Sequence, residues 1–212
     1  MDDRTTRLSA ILSAAPVVPV LTIDDPAVAV PLARALVAGG LTALEVTLRT
    51  PAALDCIRAI AAEVEGANVG AGTVLDAKQY EAADKAGATF VVSPGATNVL
   101  IAAARNSPVP FLPGVATAGE AMALADHGYL FLKFFPAEPA GGLAYLKALS
   151  APLPEIRFCP TGGIGATNAP AYLALPNVIC VGGSWVAPTE AVAAGDFARV
   201  TTLSREAARL KG

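Results

Sequence analysis

Short runs of β-branched and aromatic residues alternate along this chain with longer stretches in which Ala and Leu recur at helical spacing. Eight such runs stand out, beginning at Val17, Ala43, Asn68, Thr89, Val109, Tyr129, Ile156 and Asn177. Their length and composition are those of buried strands. The stretches between them carry helix boundaries. Asp24 and Asp25 precede Pro26, and Gly39-Gly40 closes that segment; Thr50-Pro51 opens the next. Asp76 to Ala86 ends on Gly87, and Thr117 to His127 ends on Gly128. A side-chain acceptor before the first turn, proline within it and glycine after the last turn are what helix ends favour. A further helix is expected over Asp3–Ser13, ahead of the first strand.

Successive strands begin 20 to 27 residues apart. A strand–helix unit repeated eight times predicts an α/β chain folded as a (β/α)8 TIM barrel, with the extra N-terminal helix closing its bottom. The rival is a doubly wound open sheet, which wants a GxGxxG turn after its first strand. Here the first strand runs into Thr22-Ile-Asp-Asp-Pro26, without glycine. No low-complexity linker divides the chain, so residues 1–212 are expected to form a single barrel domain.

Composition narrows the chemistry. The chain has 212 residues, 15 Lys and Arg against 18 Asp and Glu, and a net charge of −3. There is no basic run, so the footprint of a nucleic-acid partner is missing. The opening Met1-Asp-Asp-Arg4 is acidic and does not read as a secretory leader. No apolar run reaches the length of a membrane span. With one histidine (His127), and with Cys56, Cys159 and Cys180 forming no CxxC pair, metal centres are disfavoured and none is expected. The odd cysteine count fits a reducing cytoplasm, and Cys159 and Cys180, in apolar strand-like runs, read as buried, inert thiols. His127 reads as a partner for the C-terminal dipole of its helix, and Trp185 as packing at the last strand's loop.

In such a barrel function sits where strands end. Of the five lysines, only Lys133 lies in an apolar strand, Tyr-Leu-Phe-Leu-Lys-Phe-Phe. Burial disfavours the charged form of a lysine, and a neutral amine attacks carbonyl carbons to give a Schiff base. Lys133 could equally snorkel out of the strand or pair with a carboxylate. Glu45 is the one carboxylate inside a strand-like run, and a period of two places Glu45, Thr47 and Arg49 on one face. A carboxyl group beside the amine could move the protons that Schiff-base chemistry requires; a plain buried ion pair is the other reading. Thr161-Gly162-Gly163 and Gly182-Gly183-Ser184 follow the last two strands, where barrels bind phosphate through backbone N–H groups. Simple left-handed turns would use the same glycines. Arg49 in the same mouth suits a substrate carboxylate, and Thr73 could add a hydrogen bond.

Read together, these motifs resemble those of the 2-keto-3-deoxy-6-phosphogluconate aldolases, which also act on 4-hydroxy-2-oxoglutarate. The resemblance runs through Pro16-Val-Val-Pro-Val, Leu44-Glu-Val-Thr-Leu-Arg-Thr, Val69-Gly-Ala-Gly-Thr-Val-Leu and Val92-Ser-Pro-Gly. It continues through Phe111-Leu-Pro-Gly-Val, Leu132-Lys-Phe-Phe-Pro-Ala-Glu, Arg157-Phe-Cys-Pro-Thr-Gly-Gly-Ile and Val181-Gly-Gly-Ser-Trp. It implies a class I aldolase needing no cofactor or metal, with a keto-acid sugar phosphate as substrate and a homotrimer as assembly. By this resemblance Lys133 forms the Schiff base and Glu45 is the general acid and base. Arg49 and Thr73 hold the substrate carboxylate, and Pro94 shapes that end of the pocket. Thr161 lies near the substrate hydroxyls, and Gly162, Gly163, Gly183 and Ser184 hold the phosphate. The Gly-Gly-Ser-Trp ending points to the gluconate rather than the galactonate epimer. The residues taken without the resemblance also suit a phosphate-binding isomerase or synthase related to thiamin-phosphate synthase, a non-catalytic sugar-phosphate-binding barrel, or a metal-dependent pyruvate aldolase.

Overall fold

A computed structural model of the chain describes residues 3–210. The first two residues of the acidic opening, and Lys211 among the five lysines, lie outside the described residues. The elements are α1 (Asp3–Ser13), β1 (Val17–Leu21), α2 (Pro26–Ala38), β2 (Ala43–Thr47), α3 (Ala53–Glu63), β3 (Asn68–Gly72), α4 (Ala77–Lys85), β4 (Phe90–Val92) and α5 (Asn98–Arg105). They continue as β5 (Phe111–Leu112), β6 (Gly114–Val115), α6 (Ala118–Asp126), β7 (Phe131–Phe134), α7 (Gly142–Leu149), β8 (Arg157–Pro160), α8 (Ala169–Leu173), β9 (Val181–Gly183), α9 (Thr189–Ala193) and α10 (Phe197–Ala208).

All strand pairs are parallel. Six strands form one sheet in the order β5-β4-β3-β2-β1-β9, and β6-β7-β8 form another. Only Pro113 separates β5 from β6, and single bridges, Phe158 to Val178 and Thr161 to Gly182, connect β8 to the β9 segment. The outcome is a curled parallel sheet. Parallel neighbours need crossover connections, and the helices between successive strands supply them.

Alternation along each strand sorts the core into two layers. Leu44, Val46, Val69 and Val91 join Leu36 and Ile57 of the covering helices in an outer cluster. Val18, Ala43, Val92, Leu112, Phe131 and Cys159 form an inner cluster, into which α1 packs Leu8, Ile11 and Leu12. Val18, Ala43 and Phe131 lie at or next to the N-terminal ends of their strands, so α1 covers that end of the curl. In β2 the outer positions are Leu44 and Val46, which leaves Glu45 and Thr47 facing inward with Ala43.

Local chemistry shifts several expected boundaries. The helix expected from Thr50-Pro51 begins at Ala53, because the Thr50 hydroxyl donates to the Ile23 carbonyl at 2.6 Å instead of capping. The fifth strand is interrupted at Pro113, which has no N–H to donate to a ladder; its carbonyl accepts from Lys133 N at 2.9 Å. The last strand begins at Val181, with Val178 making only an isolated bridge. Asp25, Asp76 and Thr117 cap α2, α4 and α6 through their side chains. His127 is the C-cap residue of α6, and its Nδ1 meets Arg105 Nη2 at 3.0 Å. The three cysteines are free and buried, and burial pushes the Cys56 thiol up from its ordinary pKa.

Candidate active site

Lys133 and Glu45 meet inside the curl. Lys133 sits on β7, registered between Gly114 and Cys159. Glu45 sits on β2, registered between Val20 and Gly70. Their strands are not neighbours, yet Lys133 Nζ lies 2.9 Å from Glu45 Oε1 and 3.3 Å from Oε2. The residues are 6% and 3% exposed. An ammonium in such a place needs a counter-charge, and Glu45 supplies it. The Lys133 ammonium also lies 5.4 Å from the centroid of the Phe135 ring, within cation–π range. The lysines at 78, 85 and 147 are exposed.

Small residues make room for this pair. A Cβ on Gly72 would stand 2.2 Å from Glu45 Oε1 and 2.6 Å from its Cγ. Gly72 is therefore the floor against which the carboxyl group rests. Thr73 follows it with φ at +58°, the left-handed region, and is the non-glycine residue with positive φ among the described residues. A β-branched residue there is a strained outlier, of the kind that concentrates at functional sites.

Arg49 departs from the strand-face expectation. β2 ends at Thr47, so Arg49 lies beyond it in an exposed turn, and its Nε donates to Thr73 Oγ1 at 3.3 Å. Thr47 does face inward, but its hydroxyl donates to the Leu21 carbonyl at 2.9 Å and pairs with Thr22 Oγ1 at 3.0 Å. Pro94 is half-buried after β4, and its carbonyl backs closely onto Gly114.

A cleft of about 660 Å³ opens at the C-terminal ends of the strands. Arg49, Phe135, Thr161, Gly162, Gly163, Gly183 and Ser184 all line it. Gly162 and Gly163 have φ of +101° and +79°. The carbonyls of Thr161 and Gly162 accept from the N–H groups of Ala137 (2.8 Å) and Glu138 (3.1 Å). The N–H groups of Gly162, Gly163 and Ser184, and the Ser184 hydroxyl, donate to no partner among the described residues. Unpaired backbone donors of this kind are suited to an anion, and Arg49 lines the same cleft. Glycine is needed at Gly183 for a second reason: a Cβ there would strike the Trp185 ring at 1.9 Å. Thr161 is buried beside Gly182, which has no Cβ to displace its hydroxyl.

Comparison with known proteins shows the family of the chain. The family described as KDPG and KHG aldolase matches residues 8–203. The chain belongs to this family. A 2-dehydro-3-deoxy-phosphogluconate aldolase of Pseudomonas aeruginosa is 53% identical over 98% of this chain and 94% of its own length. A KDPG aldolase of Legionella pneumophila, crystallised with pyruvate captured at low pH as a covalent carbinolamine intermediate, superposes with a TM-score of 0.92 at 44% identity, covering 94% of this chain and 97% of that one. The Zymomonas mobilis enzyme with 3-phosphoglycerate superposes with a TM-score of 0.91 at 50% identity, covering 96% of each.

Two features of this candidate site escaped the sequence. Phe135 reads as one more aromatic in an apolar run until Lys133 is seen to lie over its ring. Thr22 reads as a turn residue, yet its hydroxyl joins Thr47 across β1 and β2.

Proposed function

We propose that the buried Lys133–Glu45 pair is the catalytic centre of this class I aldolase. The chain is an aldehyde-lyase that cleaves 2-keto-3-deoxy-6-phosphogluconate to pyruvate and glyceraldehyde 3-phosphate through a lysine Schiff base. It also takes 4-hydroxy-2-oxoglutarate, giving pyruvate and glyoxylate. The observation that carries the assignment of residues is a buried amine within hydrogen-bond reach of a buried carboxylate, the one such pair among the described residues, with Phe135, which the amine lies over, lining the cleft.

Proton transfer from Lys133 to Glu45 leaves a neutral amine beside a carboxylic acid. The amine attacks the 2-keto carbon, and Glu45 protonates the carbinolamine hydroxyl so that water leaves. The resulting iminium withdraws the electrons of the C3–C4 bond as the C4 hydroxyl gives its proton to the Glu45 carboxylate. Glyceraldehyde 3-phosphate departs and an enamine remains. Glu45 returns a proton to C3, and hydrolysis frees pyruvate and Lys133. The carbinolamine captured in the Legionella enzyme is the first covalent species of this sequence.

Arg49 and Thr73 bind the keto-acid carboxylate in this reading, with Pro94 closing that end of the pocket. Thr161 faces the hydroxyls. Gly162, Gly163, Gly183 and Ser184 bind the phosphate, which the unpaired donors of Gly162, Gly163 and Ser184 support. We further infer that the two sheets close into one eight-stranded (β/α)8 barrel of a single domain, plugged below by α1. The Pro113 junction and the bridges between β8 and β9 support that closure. A metal-free reaction follows from the iminium, which supplies the electron sink itself. The active form is a homotrimer, for which exposed Leu75, Val99 and Met122 offer apolar surface. No helix among the described residues is long and apolar enough to cross a membrane, and the three free cysteines suit the cytoplasm.

Borohydride reduction in the presence of pyruvate tests the centre. Mass spectrometry should find a pyruvyl adduct on the peptide holding Lys133. No adduct there, or an adduct elsewhere, overturns the assignment.

A further inference from the structure

Three described groups outside the site bear on its phosphate seat: Glu138, Asn168 and Tyr172. The aliphatic stem of Glu138 lies against Gly163, where an added Cβ would stand 2.6 Å from its Cγ and 2.8 Å from its Cβ. Its Oε1 accepts a short hydrogen bond from Tyr172 Oη and a longer one, 3.4 Å, from Asn168 Nδ2. Asn168 Nδ2 also donates to the Gly163 carbonyl at 3.0 Å, and Asn168 Oδ1 accepts from Gly165 N at 2.8 Å. Asn168 thus clamps both ends of the Gly163–Gly165 turn, and Glu138 fixes the direction of its amide. Tyr172 is 1% exposed and anchors the group to α8. Burial, reinforced by the Glu138 carboxylate, pushes the Tyr172 phenol up, so it remains a donor.

Two consecutive glycines at positive φ have no side chain to hold them, and glycine samples more backbone conformations than any other residue. Donors on such a segment bind an anion well only if their directions are set beforehand. With the carbonyls of Thr161, Gly162 and Gly163 all occupied on the Ala137, Glu138 and Asn168 side, the free N–H groups are turned the other way. We propose that Glu138, acting through Asn168 and Tyr172, is a positioning residue that presets the Gly162-Gly163 loop and so sets the preference for phosphorylated over unphosphorylated keto acids. The inference rests on the phosphate seat assigned above.

The test is steady-state kinetics with 2-keto-3-deoxy-6-phosphogluconate and with 4-hydroxy-2-oxoglutarate, which lacks the phosphate. Glu138→Ala and Asn168→Ala should raise KM for the phosphorylated substrate roughly tenfold, the worth of about one well-placed hydrogen bond. Inhibition by inorganic phosphate should weaken in parallel. Turnover of 4-hydroxy-2-oxoglutarate should stay within about twofold. Glu138→Gln, which keeps an acceptor for Tyr172, should restore most of the loss, and Tyr172→Phe should reproduce part of it. Equal losses with both substrates, or no loss with either, overturn the proposal. Ser184→Ala separates the two levels. If it raises the phosphorylated-substrate KM while Glu138→Ala does not, the positioning role alone fails. If Ser184→Ala and Gly163→Ala both leave that KM unchanged, the phosphate seat itself is wrong, and the proposal falls with it.

Discussion

Lys133 Nζ and Glu45 Oε1 are 2.9 Å apart although 88 positions separate the two residues in sequence. The pair is both a buried ion pair and the proposed catalytic couple, and the two roles separate in experiment. Lys133→Ala should abolish cleavage, and Glu45→Gln should slow it by roughly 10²–10⁴-fold, the usual cost of losing a general acid or base. Lys133→Ala also strands a buried carboxylate, at a cost of about 3–5 kcal/mol of stability. The Lys133→Ala/Glu45→Gln double variant removes that stranded charge. Its urea midpoint should therefore lie above the value obtained by adding the two single losses. Strict additivity would contradict the coupling, and wild-type turnover in either single variant would remove its catalytic role.

Gly72 sets where the Glu45 carboxyl can be. Gly72→Ala places a methyl group 2.2 Å from Oε1, so the carboxyl must shift from its position beside Lys133. A displacement of about 1 Å in a reacting group costs on the order of 10²-fold, and kcat should fall by that much. Gly119→Ala, on α6 with nothing within 4 Å of the added Cβ, is the control and should leave kcat alone. Full activity in Gly72→Ala would mean that the carboxyl position is not critical.

How much of this was legible in the sequence depends on the range of the interaction. Lys133 and Glu45 were legible because a charge in an apolar strand is conspicuous in a chain with only 33 charged residues. Gly162-Gly163 was legible as a loop, whereas Gly182-Gly183, expected to follow the last strand, is the end of β9; the helix over Asp3–Ser13 was legible by its position ahead of the first strand. Arg49 was misplaced onto the strand face because periodicity does not show where β2 stops. The break at Pro113 is a backbone effect that a run of apolar letters conceals. Glu138, Asn168 and Tyr172 carry no local signal, since what joins them is a turn and the crossover from β7 to α8.

Thr73 holds strain that the Arg49 contact makes useful. Its φ of +58° costs a β-branched residue on the order of 1–3 kcal/mol. Asn tolerates that region better. Thr73→Asn should raise stability by roughly 1 kcal/mol in denaturant melts. It should also raise KM for both keto acids, because the hydroxyl that Arg49 Nε meets at 3.3 Å is gone. A less stable variant with an unchanged KM would show that the conformation is neither strained nor functional.

The loop that follows β6, next to Lys133 in the sheet, is tied down by Glu120. Its carboxylate accepts from Ala116 N at 2.8 Å, Thr117 N at 2.9 Å and Thr117 Oγ1 at 2.9 Å, while Glu120 N donates to Thr117 Oγ1 at 3.3 Å. This capping box satisfies donors at the start of α6. The Ala116 N–H, ahead of the other contributions, holds the Glu120 carboxyl below its ordinary value of 4.5. A carboxyl group with a lowered pKa in the folded state stabilises the fold fully above its unfolded value. That contribution is lost as pH falls through the folded value. Glu120 is largely solvated, so screening keeps the effect small. Glu120→Gln should therefore be less stable than the parent at pH 7, and the gap should close on acidification below about pH 4.5. Chemical denaturation of both proteins at pH 7 and pH 3 measures it. A gap that stays constant or widens at pH 3 would show that packing, rather than the charge-assisted cap, holds the loop beside Lys133.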